Sequence, residues 1–291
     1  MRNDLGFMFR REWAPELLVD VAQAVEAAGL AEMWVVEDLE FHGGFAQIAT
    51  ALASTRRITV GLGIAPAVAR NVAYSAMEIA TVARLFPGRF HMGYGHGVET
   101  WIAQVGATPI SWLASLGEVT IATKALLAGE TVTTHGRHVD LESVTLVHPA
   151  VSPPLISLGV RQPKGMALAG DVADGVIFAE GSGPRYVAQV RATVGPSSRL
   201  TVFVQASSDV AAISEQIASK VAQPRFAVQL AAYGNETPPL DELMISGPPD
   251  TWAGQARKWF DAGADCVVYC LLPSDSPGMP LSLSATEDGS T

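Results

Sequence analysis

The sequence predicts a (β/α)8 TIM barrel, with a β-hairpin excursion before the fifth strand and an insertion before the last helix. Its 291 residues suit one large barrel or two ordinary domains. Eight short apolar runs alternate with longer amphipathic runs, which indicates repeated strand–helix units. Most of the short runs are continuously apolar, as parallel strands buried on both faces are. A doubly wound sheet with a second domain is the alternative.

The predicted strands each consist of a short apolar run bounded by turn residues. They are Leu5–Phe9, Met33–Glu37, Ile58–Ile64, Phe90–Gly95, Leu155–Val160, Gly175–Ala179, Leu200–Gln205 and Cys266–Leu272. Five intervening stretches have helical spacing: Pro15–Ala28, Val72–Leu85, Ser111–Leu127, Val210–Val221 and Pro249–Ala262. In the first of them Leu17, Val21 and Val25 share one stripe, and Pro15 suits a helix start.

Three segments depart from this alternation. Thr131–Val147 alternates polar and apolar residues around a His-Gly turn, which predicts the hairpin. Gln223–Pro249 forms the insertion. Residues 274–291 contain Pro277, Gly278 and Pro280 and are predicted to be a loose C-terminal tail. Residues 1–273 then form a single barrel domain.

Composition excludes several classes of protein. The chain has 19 basic and 29 acidic residues, a net charge of −10, which argues against nucleic-acid and anionic-membrane partners. It has no apolar run long enough to span a bilayer and no signal-peptide pattern at its start. Cys266 and Cys270 would lie about 13 Å apart in one strand, too far for a disulfide. We therefore expect a cytoplasmic protein.

In such barrels the functional residues follow the C-terminal ends of the strands. After strands five and six, the segments Gly159-Val160-Arg161 and Ala179-Glu180-Gly181 each precede a proline near the next helix start. Free backbone amides at helix N-termini bind phosphate, and Arg161 and Lys164 add positive charge there. The sequence thus predicts an anion site in these loops.

Other kinds of site are not indicated. The glycines between 93 and 97 fail the dinucleotide pattern, because Val98 stands where a glycine is required. His42 and His96 lie on the functional face without metal-ligand spacing, so no metal site is predicted. A G-x-S-x-G motif is absent, which argues against a serine hydrolase.

Three longer segments carry a family resemblance: Arg57–Ile64, Pro87–Gly97 and Ala167–Ile177. Together they resemble the bacterial luciferase-like flavin-dependent oxidoreductases. Within that superfamily, the Gly95-His96-Gly97 turn and the Pro163-Lys164 pair are most similar to the branch that uses the deazaflavin coenzyme F420. Methylenetetrahydromethanopterin reductase belongs to this branch.

The resemblance implies a cofactor site in the barrel mouth. A bulge with a non-prolyl cis peptide in strand three would back the flavin ring, at Gly63-Ile64 next to Ala65. Gly95, His96 and Gly97 would contact the cofactor. Its phosphate would be held by Gly159, Val160, Arg161 and Lys164, and by Ala179, Glu180 and Gly181. Coenzyme F420 is the expected cofactor, with FMN as the alternative.

One position departs from the family pattern. Several relatives carry a histidine directly after the aspartate that ends strand two, where this chain has Leu39. The proton donor would then be found at the ends of strands two and four. We rank Glu99 first and His96 second, followed by Asp38 and Glu37.

The sequence therefore predicts an F420-dependent reductase that transfers a hydride between the deazaflavin and a small organic substrate, with a role in secondary metabolism. An FMN-dependent luciferase-like monooxygenase is the first alternative. A non-catalytic flavin-binding protein that lost its acid is the second. We also expect a homodimer whose only other partner is the small-molecule substrate.

Overall fold

The computed structural model describes residues 3–278. Its strands are β1 (Asp4–Met8), β2 (Glu32–Val35), β3 (Thr59–Pro66), β4 (Phe90–Gly95), β5 (Val132–His135), β6 (Asp140–Val144), β7 (Leu155–Gly159), β8 (Gly175–Phe178), β9 (Arg199–Ser207), β10 (Met244–Ser246) and β11 (Cys266–Leu271). Eight parallel strands close in the order β1-β2-β3-β4-β7-β8-β9-β11, and β11 pairs with β1. The predicted TIM barrel and all eight predicted strands are confirmed.

Helices follow the strands around the outside of the barrel. They are α1 (Leu18–Ala27), α2 (Gly44–Ser54), α3 (Val72–Leu85), α4 (Glu99–Gln104), α5 (Trp112–Leu127), α6 (Pro163–Val172), α7 (Pro184–Val194), α8 (Val210–Val221), α9 (Ala227–Ala231) and α10 (Trp252–Asp261). The five predicted helices are confirmed. Two of them begin with a 3₁₀ turn, Pro15–Leu17 and Pro249–Thr251, because proline suits the first turn.

The hairpin and the insertion both lie outside the barrel wall. Strands β5 and β6 pair antiparallel, as the alternating pattern predicted. The Glu118 carboxylate on α5 accepts hydrogen bonds from the amides of His138 and Val139, at 2.7 and 3.0 Å, which fastens the hairpin to the barrel. The insertion contains α9 and β10, and β10 extends the sheet beside β9.

The predicted tail, residues 274–291, lies mostly outside the described residues. Its first residues turn back on the barrel, where Asp275 accepts hydrogen bonds from the Leu272 amide and the Ser207 hydroxyl, at 2.8 and 3.1 Å. The division into a barrel domain and a tail stays a prediction. Between residues 3 and 278, no helix is long and apolar enough to cross a membrane.

The barrel interior is filled by large side chains that need glycine opposite them. Phe203 on β9 reaches across to β3, where a Cβ on Gly63 would lie 2.5 Å from its ring. Trp34 on β2 lies equally close to Gly61. The two aromatic rings pack edge to face, with centroids 5.4 Å apart. These contacts make a solid floor beneath the mouth of the barrel.

Below that floor, at the N-terminal ends of the strands, lies a buried polar network. The Arg199 guanidinium contacts Glu32 and Asp4 at 2.5 and 3.2 Å, and the Trp34 indole donates to Glu32 at 2.8 Å. His91 shares a 2.8 Å hydrogen bond with the Ser157 hydroxyl. Burial lowers the pKa of His91 to about 3, so its imidazole is neutral. These groups are paired with one another at the end opposite the mouth.

Candidate active site

The mouth of the barrel is built around an irregularity in β3. The pairing of β3 with β4 shifts register between Leu62 and Ala65. The peptide bond between Gly63 and Ile64 is cis, as the resemblance implied. Pairing resumes at Ala65, which lies opposite Tyr94.

The Ile64 side chain lies against a set of glycines from the neighbouring strands. A Cβ on Gly95 would lie 2.9 Å from Ile64 Cγ1, and one on Gly159 would lie 2.8 Å from Ile64 Cγ2. Gly93 allows a closer approach still, since a Cβ there would overlap the Leu62 carbonyl oxygen. A larger residue at Gly95 or Gly159 would displace the Ile64 side chain. The result is an apolar seat, formed by Ile64 on Gly93, Gly95 and Gly159, that suits a flat ring.

The predicted anion loops lie on the adjacent side of the mouth. Helices α6 and α7 begin at Pro163 and Pro184, and neither has a side-chain cap at its N-terminus. Their first amides are therefore available to an anion. The backbone turns sharply at Gly181, whose φ of +88° favours glycine. These features fit the phosphate site that the sequence predicted.

The two basic residues predicted for this site differ in placement. Arg161 is half-buried, and its guanidinium stacks 5.3 Å from the Phe226 ring centroid, on the insertion. Burial lowers the pKa of Arg161, but an arginine stays protonated near neutral pH. Lys164 is exposed on the first turn of α6. Of these two cations, Arg161 is therefore the more enclosed.

Glu180 places a carboxylate among these cations. Its Oε1 lies 3.6 Å from the Lys220 ammonium on α8. Burial alone would raise the pKa of Glu180, but Lys220, Arg10 and Arg161 bring it below its usual range. The carboxylate is therefore ionised, and a bound phosphate would share the surrounding positive charge with it.

A polar side chain without a partner lies inside the barrel near the mouth. Gln205 on β9 is fully buried, and neither atom of its amide makes a hydrogen bond within the described residues. It lies two residues beyond Phe203 on the same face of the strand, and therefore one layer nearer the mouth. A buried amide without a partner suits a ligand with polar edges.

Glu37, which follows β2, is fully engaged in contacts. Both of its oxygens accept hydrogen bonds from the Arg70 guanidinium at 2.5 Å, and Oε1 also accepts from the Gly44 amide at 2.9 Å. Arg70 lies between β3 and α3, and Gly44 begins α2. This carboxylate therefore ties together the loops after β2 and β3, and its lone pairs are committed.

Asp38 has a single basic partner. Arg11, in the loop after β1, forms an ion pair with it. Burial raises the pKa of Asp38, although the hydrogen bond and charge of Arg11 oppose that effect. The Arg11 guanidinium also lies over two aromatic rings, 4.9 Å from the Phe41 centroid and 5.4 Å from the Trp101 centroid. Asp38 is thus the predicted acid whose pKa is shifted towards neutrality.

His96 and Glu99 lie further along the rim. The His96 ring packs against Trp112 with centroids 5.9 Å apart, and its Nε2 is buried without a partner among residues 3–278. Burial lowers the pKa of His96, so its neutral form is favoured. Glu99 is exposed at the start of α4. The four predicted acids therefore do not converge on one point.

A cavity of about 330 Å³ lies beside Asp38. Its walls come from the loops after β2 and β3 and from α4, and they include Glu37, Asp38, His42, Arg70 and Trp101. A second cavity, of about 360 Å³, lies between the hairpin and the start of α3 and does not reach Asp38. The first cavity adjoins Pro66, two residues beyond Ile64, and so borders the apolar seat.

The sequence did not single out Arg11, Arg70 or Trp101. Arg11 and Arg70 lie in loops after strands, and Trp101 lies on the short helix α4. Each of them contacts a residue that is distant in the chain. Basic residues are outnumbered by acidic ones in this chain, 19 against 29, so arginines close after strand ends were the signal that could have found the first two.

Residues 11–265 match the family model described as luciferase-like monooxygenase. The 5,10-methylenetetrahydromethanopterin reductase of Methanolobus tindarius is 28% identical over 157 residues, 54% of this chain and 48% of that protein. The F420-dependent glucose-6-phosphate dehydrogenase of Nakamurella multipartita is 27% identical over 185 residues, 60% of this chain and 55% of that protein. The chain thus spans about half the length of the curated relatives it matches.

Solved structures share the fold at low sequence identity. The F420-dependent tetrahydromethanopterin reductase of Methanopyrus kandleri has a TM-score of 0.76 and 16% identity, covering 97% of this chain and 99% of that one. An F420-dependent secondary alcohol dehydrogenase, solved with an F420–acetone adduct, has a TM-score of 0.78 and 17% identity, covering 97% of each chain.

An FMN complex is also among the similar structures. The oxygenating constituent of 3,6-diketocamphane monooxygenase from Pseudomonas putida has a TM-score of 0.69 and 16% identity, covering 92% of this chain and 91% of that one. At such identities the likeness shows the fold alone. The family model, however, extends from the loop after β1 to the start of β11, and on that match this chain belongs to the luciferase-like monooxygenase family of enzymes, as its motifs predicted.

Proposed function

We propose that this chain is an F420-dependent oxidoreductase that transfers a hydride between the deazaflavin and a small organic substrate. The observation that carries the proposal is the apolar seat of Ile64 beside the uncapped N-termini of α6 and α7. A flat ring and an attached phosphate need this combination. The F420-dependent name of the Nakamurella multipartita relative supports the deazaflavin rather than FMN.

Coenzyme F420, when bound, supplies a hydride donor or acceptor. The protein therefore has to bind the coenzyme and the substrate, orient them, and exclude water. Ile64 and its glycines would hold the ring, while Arg161 and the amides of the two loops would hold the phosphate. The unpartnered amide of Gln205 would meet a polar edge of the ring. The ion pair of Glu37 with Arg70 holds the loops after β2 and β3 together at the mouth of the barrel.

The residue we propose to hold the transferred proton is Asp38. Its raised pKa keeps a larger share of the carboxyl protonated than an ordinary aspartate has. Glu37 is committed to Arg70, and Glu99 faces solvent. His96, with a free buried Nε2, is the second candidate.

The proposal is tested by titrating the protein with F420 and with FMN under identical conditions. We expect micromolar or tighter F420 binding, and FMN binding at least tenfold weaker. Arg161→Gln should weaken F420 binding about tenfold, the scale of one lost charge-assisted hydrogen bond. Arg257→Gln is the matched control, since Arg257 is exposed on α10, far along the chain from both loops.

The alternatives give different results in the same experiment. Tight FMN binding without F420 binding, followed by oxygen consumption with reduced FMN, would establish the monooxygenase. F420 binding without turnover of any carbonyl, imine or activated alkene would favour a non-catalytic carrier. A cytoplasmic location and a role in secondary metabolism remain predictions; the buried free thiols of Cys266 and Cys270 agree with the former.

A further inference from the structure

We propose that the cavity beside Asp38 is the substrate pocket and that it takes an uncharged, mainly apolar molecule with a single hydrogen-bonding group. This inference rests on the proposed function, because it places the reaction at the mouth of the barrel. It goes beyond that function by naming the chemistry of the substrate. Three properties of the cavity support it: its walls, its charges and one unpartnered nitrogen.

The walls of the cavity are largely apolar. Val98, Trp101, Ile102 and Val105 line it from α4 and its flanks, and Phe41 lines it from the loop after β2. Its volume of about 330 Å³ is near the low end of the range of roughly 300–1,000 Å³ for small-molecule pockets. A compact molecule with a hydrocarbon body fits walls of this size and kind.

The cationic side chain that lines the cavity, Arg70, is already paired. The Arg70 guanidinium is committed to Glu37 and lies 3.7 Å from Glu78 as well. Asp38 is paired with Arg11. Within residues 3–278, no lysine lines this cavity, while Glu40 adds a further carboxylate. A phosphate or carboxylate group on the substrate would lose its water without gaining a cation, so anions are excluded.

Among the described residues, one side chain of the cavity wall carries a polar atom without a partner. The Nδ1 of His42 is buried and has no hydrogen-bond partner in the described part of the chain. His42 lines the cavity, and its ring packs 6.2 Å from Phe9. Because buried polar groups are normally satisfied, a carbonyl or hydroxyl of the substrate is the natural partner.

The test uses three probes that each contain a six-membered ring: cyclohexanone, cyclohexanecarboxylate and glucose 6-phosphate. Binding to the cofactor-free protein is measured by saturation-transfer NMR of each probe. Gly43→Phe fills the cavity, since Gly43 lines it, has an ordinary φ of −70°, and has no atom within 4 Å of the position a Cβ would take. Gly254→Phe is the matched control, because Gly254 also has open space and lies on α10.

We expect saturation transfer to cyclohexanone in the wild type and in Gly254→Phe, at least tenfold less in Gly43→Phe, and none to either anion. His42→Leu should weaken cyclohexanone binding about fivefold, since one hydrogen bond is lost. Glucose 6-phosphate binding as strongly as cyclohexanone would overturn the proposal. So would a cyclohexanone signal that Gly43→Phe leaves unchanged, or none in the wild type.

The F420 titration described above separates this inference from the proposed function. If cyclohexanone binds in the cavity but F420 does not bind, the cavity is a ligand site and the cofactor assignment is wrong. If F420 binds and cyclohexanone does not, the substrate class is wrong and the proposed function stands.

Discussion

At the scale of single residues, Asp38 shows how two opposing effects set one pKa. Burial disfavours the carboxylate, because water solvates the negative charge better than the interior does. Arg11 favours the carboxylate through a hydrogen bond and a positive charge. Burial is the larger effect, and the pKa of Asp38 is raised. The ionisation of this residue therefore depends on whether Arg11 keeps its place between Phe41 and Trp101.

We predict that Arg11→Gln raises the pKa of Asp38 further, by on the order of one unit, the usual scale for losing a close opposite charge. With the cation gone, burial and the negative charges of Glu12 and Glu180 raise the pKa unopposed, so the carboxyl stays protonated to a higher pH. As the pH rises, any activity that needs protonated Asp38 is then lost at a higher pH than in the wild type. Carboxyl ¹³C NMR titration measures the pKa directly, and Asp38→Asn identifies the signal.

A pKa that stays in place or falls in Arg11→Gln would contradict this account. Arg257→Gln serves as the control for a general change in protein charge and should leave the Asp38 titration where it is.

At the scale of elements, the barrel mouth depends on glycines that let strands and side chains approach closely. We predict that Gly93→Ala lowers the free energy of unfolding by about 1–3 kcal/mol, the usual cost of overpacking. Its new methyl group would overlap the Leu62 carbonyl oxygen and would lie 2.5 Å from Ile177 Cδ1. Urea unfolding measures the change.

Gly254→Ala is the matched control, with an expected gain of about 0.5–1 kcal/mol, because its Cβ enters open space in a helix. Equal stability of Gly93→Ala and the wild type would show that β3 and β4 can separate without cost.

The elements also show what sequence reasoning can reach. Strands such as Cys266–Leu271 were predictable because a strand that is buried on both faces has a continuous apolar sequence. The hairpin was predictable because one of its faces is solvated and its pattern alternates. Strand β10 was missed, since three residues are too few to show a pattern and only β9 beside them makes them a strand.

The candidate site was predictable to the level of loops. The rule that barrel sites follow the strand ends located Glu37, Asp38 and the glycine turns. It could not show that Arg70 is the partner of Glu37 or Arg11 that of Asp38, because these pairs join loops whose conformations depend on the whole fold. The cavity arises from the same loop packing.

At the scale of the whole molecule, an apolar surface on α3 indicates self-association. Tyr74, Met77 and Leu85 are 68%, 51% and 66% exposed, and their spacing places them on one side of the helix. Ile121, on the adjacent α5, is 56% exposed. Apolar side chains grouped in this way mark interaction surfaces more often than isolated ones do.

We predict a homodimer that buries this surface, with a mass in solution twice the 30.6 kDa of one chain. Met77→Lys should shift the dimer to monomer at micromolar concentration, because a charge would enter the interface. Light scattering after size exclusion measures the mass. Ile110→Lys is the control, since Ile110 is 80% exposed and lies outside α3 and α5. A wild-type monomer, or a dimer unaffected by Met77→Lys, would contradict the prediction.

The pairing of β1 with β11 has a consequence for how the protein is made. The ribosome synthesises Asp4–Met8 long before the partner of its free edge, Cys266–Leu271. At about 5–20 residues per second, the interval is roughly ten to fifty seconds. During that time β1 presents unpaired backbone groups, which readily pair with other chains. One edge of β1 therefore stays unpaired in the nascent chain until the last strand closes the barrel.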